Sequence, residues 1–212
     1  MGQDTTLIFI PDPAFRPGGK RSEMAEEALA GGATAIQLRA KELSVRELVD
    51  EGRRLAALCR RFGRPLFIND RVDVALACGA DGVHLGPDDM APGEARSILG
   101  PDILIGVSAY GPGDLAEAEA AGAAYVAVGA VFPTATKEIG VVGTGEVRRL
   151  RAMTRLPVVA IGGIDEANAA LAVEAGADGV AVISALSGAD DIAAAAKELR
   201  RRVDAARPDR IA

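Results

Sequence analysis

The chain has 212 residues, of which 49% are hydrophobic and only 3% aromatic, with no Trp and a formal net charge of -6. That length supports one sizeable core rather than two. The acidic balance, with no basic face to offset phosphate repulsion, excludes nucleic acid as a partner but leaves local cations free to bind a small anion.

The first apolar run, Leu7 to Ile10, has strand length; it is too short for a signal peptide. No later run approaches a membrane span, so a soluble, cytoplasmic protein is expected. A phrase then recurs four times, at Gly31 to Leu38, Gly79 to Gly86, Gly122 to Gly129 and Gly176 to Ile183. Each copy follows an Ala/Glu-rich helical stretch, opens on a glycine suited to a left-handed helix cap, and ends in a short apolar run. Leu66 to Ile68, Ile103 to Val107 and Pro157 to Ile161 supply the remaining runs. Eight strands are therefore expected, near residues 7, 35, 66, 82, 103, 124, 157 and 179.

Helix signals fill the gaps. Ser44 and Glu47 form a capping box opening a helix that ends near Gly63. Pro92 and Pro112 suit first-turn positions, and Asp165 suits the cap of a helix ending before Gly176. A last helix runs from about Asp190 to Ala206. Cys59 and Cys78 lack metal-ligand spacing and read as buried packing residues. Eight near-continuous apolar strands alternating with helices predict an all-parallel sheet closed into a (β/α)8 TIM barrel, one domain over residues 1–212.

In that fold the chemistry gathers at the strands' C-terminal ends. The second exit carries Gln37, Arg39 and Lys41; two cations there suit a phosphate or pyrophosphate. The third and fourth exits carry Asn69 and Asp70, then Asp88 and Asp89. Carboxylates on neighbouring exits can hold Mg2+ in an all-oxygen site completed by phosphate and water, the alternative for any one Asp being a helix cap. His84, the one histidine, reads as a satisfied buried group rather than a catalyst. Ser108 ends the fifth strand and offers a hydroxyl. The sixth ends in Phe132-Pro133-Thr134-Ala135-Thr136-Lys137, two hydroxyls and an ammonium within four positions. Gly162-Gly163 after the seventh strand, with Ile183 and Ser184 after the eighth, suit a backbone phosphate site. Two anion sites on opposite sides of one mouth suit two phosphorylated ligands.

These blocks, in this order and spacing, resemble the thiamine phosphate synthase family almost end to end. They are Gln37-Leu38-Arg39-Ala40-Lys41, Ile68-Asn69-Asp70-Arg71, Asp81 to Gly86, Gly106-Val107-Ser108, Phe132 to Lys137 and Ala160 to Ile164. The resemblance implies an enzyme that joins hydroxymethylpyrimidine diphosphate to a thiazole phosphate, releasing pyrophosphate and forming thiamine phosphate. It implies that Gln37, Arg39, Lys41, Asn69, Ser108 and Lys137 bind the pyrimidine diphosphate, with Leu38 and Ala40 in the same segment. Asp70 and Asp89 would carry Mg2+; Thr134, Ala135, Thr136, Gly162 or Gly163, Ile183 and Ser184 would bind the thiazole phosphate. It further implies a dissociative reaction, in which pyrophosphate leaves before the thiazole nitrogen attacks. Arg39, Lys41, Lys137 and Ser108 would then act through charge and placement rather than as acid and base.

The chain departs from the family pattern at Pro87, where Gln is usual, at Tyr110, where His is common, at Gly143, where Pro is frequent, and around Ile8 to Pro13. The competing expectations are a thiazole tautomerase on the same scaffold, which looks to a His at the place of Tyr110, a non-catalytic sensor of a thiamine precursor, and a barrel isomerase of amino-acid biosynthesis.

Overall fold

The structure, a computed structural model, describes residues 4–134 and 140–207. Eight short parallel strands close in sequence order. They are β1 (Leu7–Phe9), β2 (Ala35–Leu38), β3 (Leu66–Asn69), β4 (Gly82–Leu85), β5 (Leu104–Ser108), β6 (Tyr125–Val128), β7 (Val158–Ile161) and β8 (Gly179–Val182). The helices α1 (Arg21–Ala30), α2 (Val45–Phe62), α3 (Val72–Cys78), α4 (Pro92–Leu99), α5 (Pro112–Ala120), α6 (Gly143–Arg151) and α7 (Ala169–Glu174) follow β1 to β7 in turn. After β8 come α8 (Ser184–Ser187) and α9 (Ile192–Ala206). The (β/α)8 barrel expected from the alternation is the observed fold.

Strand alternation sorts the apolar residues into two cores. Ile36, Leu38, Leu66, Ile68, Val83, Leu85, Ile105, Val107, Val126, Val128, Val158 and Val180 pack outward against the helices. The intervening residues Ile8, Ala35, Phe67, Tyr125, Ala127, Val159 and Ala181 fill the barrel. Two large rings occupy that interior because small residues face them. A Cβ on Gly82 would lie 2.5 Å from the Phe67 ring, and one on Gly106 would lie 2.3 Å from Tyr125 Cζ. Phe67 and Tyr125 meet edge to face with centroids 5.4 Å apart, a geometry worth about 0.5–1.5 kcal/mol beyond buried area.

The helix signals hold with small shifts. Glu47 Oε2 accepts from the Ser44 amide at 2.9 Å while Ser44 Oγ accepts from the Glu47 amide at 3.4 Å, closing the capping box. Pro92 and Pro112 open their helices. Asp165 caps a turn rather than the helix itself: its Oδ1 accepts from the amides of Ala167 and Asn168 at 2.9 and 3.2 Å, and regular helix begins only at Ala169. Asp191, one residue beyond the expected start, caps α9 through the Ala194 amide at 2.9 Å. Of the four repeat glycines, Gly79, Gly122 and Gly176 take positive φ; in the first copy Gly32 does so and Gly31 stays right-handed. Both cysteines are buried. Among the described residues no helix is long and apolar enough to cross a membrane.

Candidate active site

The strand parity that fills the barrel below turns polar above. On β2 it runs from Ala35 through Gln37 to Arg39, on β3 from Phe67 to Asn69, on β4 from Gly82 to His84, and on β5 from Gly106 to Ser108. These five upper groups, Gln37, Arg39, Asn69, His84 and Ser108, together with Asp70, line one cleft at the C-terminal mouth, about 970 Å³ counted to its open face. Thr134, Gly162, Gly163, Ile183 and Ser184 line it from the other side. Leu38 and Ala40 have the opposite parity and sit in the outer core, so what they offer a ligand is main chain only. Lys41 is exposed beyond the cleft wall. Ala135, Thr136 and Lys137 lie outside the described residues.

Asp70 is held in an unusual backbone conformation at the β3 exit. Its φ is 66°, the one positive value at a non-glycine residue among those described. Its amide donates to the His84 carbonyl at 2.8 Å while the Arg71 amide donates to Asn69 at 2.8 Å. Asp tolerates this left-handed turn better than most side chains. The turn brings the Asp70 carboxyl into hydrogen-bonding reach of Asp89. Burial first, then the Asp89 carboxyl, pushes Asp70 up to about 6, against the opposing pull of Lys41 and Arg39. Asp89 is anchored in turn, its Oδ2 accepting from the Gly86 amide at 2.7 Å. Asp88, the alternative left open by the sequence, is exposed. Among the described residues no cluster of three or more His, Cys, Asp or Glu side chains converges. A cation here would therefore draw on two carboxylates and on non-protein oxygens.

The opposite wall is backbone. Gly162 and Gly163 both take positive φ, 96° and 64°. Residues after β6 lie directly on them: the Phe132 amide donates to the Gly162 carbonyl at 3.0 Å, and a Cβ on Gly163 would lie 2.3 Å from the Pro133 carbonyl. The two glycines thus seat the base of the loop that carries Thr134. Next to them β8 gives way to Ile183 and Ser184, where the short α8 begins.

A buried polar chain crosses the barrel beneath the cleft. His84 Nδ1 lies 2.9 Å from the Tyr125 hydroxyl and His84 Nε2 lies 3.0 Å from Ser108 Oγ. Tyr125 is also hydrogen-bonded by Gln37, and burial holds its phenol far above the ordinary range. His84 is the satisfied group expected, linking two residues of the site. Tyr125 went unrecognised at the level of sequence; its inward parity, shared with Ala127 and opposite Gly106, is the signal that marks it.

Comparison with known proteins bears on this geometry. Residues 7–186 match the model of the family described as thiamine monophosphate synthase. The chain belongs to that family. A thiamine-phosphate synthase of Moorella thermoacetica is 49% identical over 90% of this chain and 92% of its own length. One from Pyrococcus furiosus is 46% identical over 93% of this chain and 94% of its own. A solved thiamine phosphate pyrophosphorylase from Pyrococcus furiosus superposes with a TM-score of 0.86, at 43% identity, over 96% of this chain and 98% of that one. Family membership makes the protein an enzyme, a transferase of thiamine biosynthesis that forms thiamine phosphate, and its substrates small phosphorylated molecules. These relatives carry the synthase name, which disfavours the tautomerase and sensor expectations. Two departures from the family pattern, Pro87 and Tyr110, both line the cleft.

Proposed function

We propose that the enzyme condenses 4-amino-2-methyl-5-hydroxymethylpyrimidine diphosphate with 4-methyl-5-(2-phosphoethyl)thiazole, giving thiamine phosphate and pyrophosphate; from the thiazole's carboxylate precursor the carboxyl group would leave as carbon dioxide and the ring carbon would take a proton from solvent. The observation that carries this reading is one cleft with two unlike walls: Arg39 and Asp70 on the β2 and β3 exits, with Asp89 paired to Asp70 behind them, and glycine backbone with Thr134 and Ser184 on the other side.

The donor set fits Mg2+. Asp70 and Asp89 are two hard oxygen ligands forced together, and the upward shift of Asp70 to about 6 reports their mutual repulsion together with burial. Asp70 and Asp89 would hold a divalent cation, which would relieve that repulsion. When bound it supplies charge neutralisation for the departing pyrophosphate.

The remaining work falls to the protein. Arg39 faces the leaving diphosphate, with Lys41 and, by the sequence pattern, Lys137 adding positive charge. As the C–O bond breaks, its electron pair leaves with pyrophosphate, and the thiazole nitrogen's lone pair then forms the new C–N bond. Asn69, Gln37 and Ser108 would hold the pyrimidine; Thr134, Gly163, Ile183 and Ser184 would hold the thiazole phosphate. No proton needs to move for the bond exchange, which agrees with a cleft offering placed charges rather than an acid–base pair. The decisive assay supplies both phosphorylated precursors with Mg2+ and looks for thiamine phosphate and pyrophosphate in equal amounts. Absence of both products would overturn the proposal.

A further inference from the structure

The turn that joins β2 to α2 is fixed at both ends. The Leu43 amide donates to the Ala40 carbonyl at 3.3 Å, and the capping box of Ser44 and Glu47 then opens α2. The middle of the turn is Lys41 and Glu42. Lys41 is exposed, yet its charge acts on the Asp70 carboxyl at the β3 exit. Glu42 is held from a different element: its carboxylate accepts from the guanidinium of Arg21, the first residue of α1.

Folding stability gives little reason for Arg21 to be where it is. Its side chain is only 11% exposed, and its Nε is buried with no hydrogen-bond partner among the described residues. A buried donor left unpaired is unfavourable, and so is a cation in the first turn of a helix. Against these costs stands one ion pair to a carboxylate that is 60% exposed, a kind that contributes little to folding. What the pair does fix is the position of the turn.

We infer that Arg21 and Glu42 are positioning residues, whose ion pair ties the β2–α2 turn to α1 and so holds the Lys41 ammonium at the mouth, against the diphosphate. Arg21 does not line the cleft, so it works through Lys41. This rests on the diphosphate reading and adds to it a pair outside the cleft that sets how firmly the leaving group is gripped.

The probe is inorganic pyrophosphate with Mg2+, titrated calorimetrically into the whole protein, which needs no turnover. Arg21→Met keeps a long apolar stem and a good helix former. It should weaken pyrophosphate binding about 10-fold, within the range for coupled neighbours, while its melting temperature equals or exceeds the parent's. Glu42→Ala should weaken binding by a similar factor but lower the melting temperature, because it leaves the guanidinium buried and unpaired. Both variants should raise KM for the pyrimidine diphosphate and leave KM for the thiazole phosphate unchanged. The double variant should bind pyrophosphate no more weakly than either single one, since the two residues act as a unit. In a Lys41→Ala background neither substitution should weaken binding further. Parent-like pyrophosphate binding in Arg21→Met would overturn the inference. So would a 10-fold loss that persists without Lys41, because the guanidinium would then be acting on the anion directly. Should Arg21→Met fail to fold, Glu42→Ala with and without Lys41 makes the same comparison. A parent that neither binds pyrophosphate nor forms thiamine phosphate would overturn the diphosphate reading itself, so the two failures are distinct.

Discussion

Two glycines with nearly the same backbone angle separate strain from packing at the site. Gly163 has φ of 64° and Gly122 has φ of 62°. A Cβ on Gly122 would meet nothing within 4 Å, whereas one on Gly163 would fall 2.3 Å from the Pro133 carbonyl oxygen and 2.7 Å from that of Phe132. In Gly122→Ala the left-handed backbone costs about 1–2 kcal/mol, offset by about 0.4–1 kcal/mol from the stiffer unfolded chain. The net loss should lie between about 0 and 1.6 kcal/mol. Gly163→Ala carries the same terms plus an overpacking cost of about 1–3 kcal/mol, because backbone carbonyls cannot rotate out of the way. The difference between the two variants is therefore predicted at about 1–3 kcal/mol, the overpacking term alone. Urea unfolding followed by far-UV circular dichroism is the suitable assay, since the chain has no Trp to report by fluorescence. Gly163→Ala should also displace the loop base that carries Thr134 and raise KM for the thiazole phosphate, while Gly122→Ala, on the far side of the barrel from the mouth at a helix end, should not. Equal stability losses in the two variants would refute the packing argument.

Asp70→Asn should reduce turnover at least 100-fold, the order expected when a key electrostatic group is lost, and should abolish the rise in melting temperature that millimolar Mg2+ is predicted to give the parent. Because it removes one of two adjacent carboxylates, its melting temperature without Mg2+ should equal or exceed the parent's; a lower one would contradict the repulsion seen at this pair. Gly106→Ala should cost about 1–3 kcal/mol in urea unfolding by forcing the Tyr125 ring aside, and a neutral result would mean the barrel interior yields. Cys59 is pushed up to about 12 from 9.0, by burial first and then by Asp81. Between those values the folded thiol keeps a proton that the unfolded thiol has lost, so stability should fall as pH rises from 9 toward 12. Cys59→Ala should flatten that slope in denaturation curves taken across this range.

The barrel was legible because each signal has a local cause. Gly after an Ala-rich stretch marks a helix end, and four or five apolar residues after it have no other place than a strand buried on both faces. All eight strands lie where these runs stand. Boundaries were less legible where a polar side chain can cap a turn as well as a helix, as at Asp165. Within the site, residue types at strand ends were enough to find Arg39, Asn69, Asp70 and Ser108 but not to say which neighbours point elsewhere. Leu38 and Ala40 belong to the motif in sequence, yet alternation turns their side chains to the helices. The pairing of Asp70 with Asp89 rather than Asp88 depends on the left-handed turn at Asp70 and the Gly86 amide, neither of which residue type alone predicts. Tyr125 was hidden for a simpler reason: at the start of a buried strand an aromatic residue reads as packing, and only its partners across the barrel show that its hydroxyl is used.

The same alternation bears on how so small a barrel would serve the proposed dissociative reaction. Inward positions are apolar low in the barrel and polar one step higher, so the charged wall stands on a layer of Phe67, Tyr125, Ala127 and Val159. Under the proposed chemistry the cation left after pyrophosphate departs reacts with whichever nucleophile is nearest. Water is the competitor, and a base near the reacting carbon would activate it. A site whose one imidazole is hydrogen-bonded to Tyr125 and Ser108, and whose Asp70 and Asp89 carboxylates would be taken up by the proposed cation, would leave water without an activating partner. Under the proposed chemistry, an imidazole held between two hydroxyls and a mechanism without a general base belong to one arrangement, which leaves the thiazole nitrogen as the favoured nucleophile.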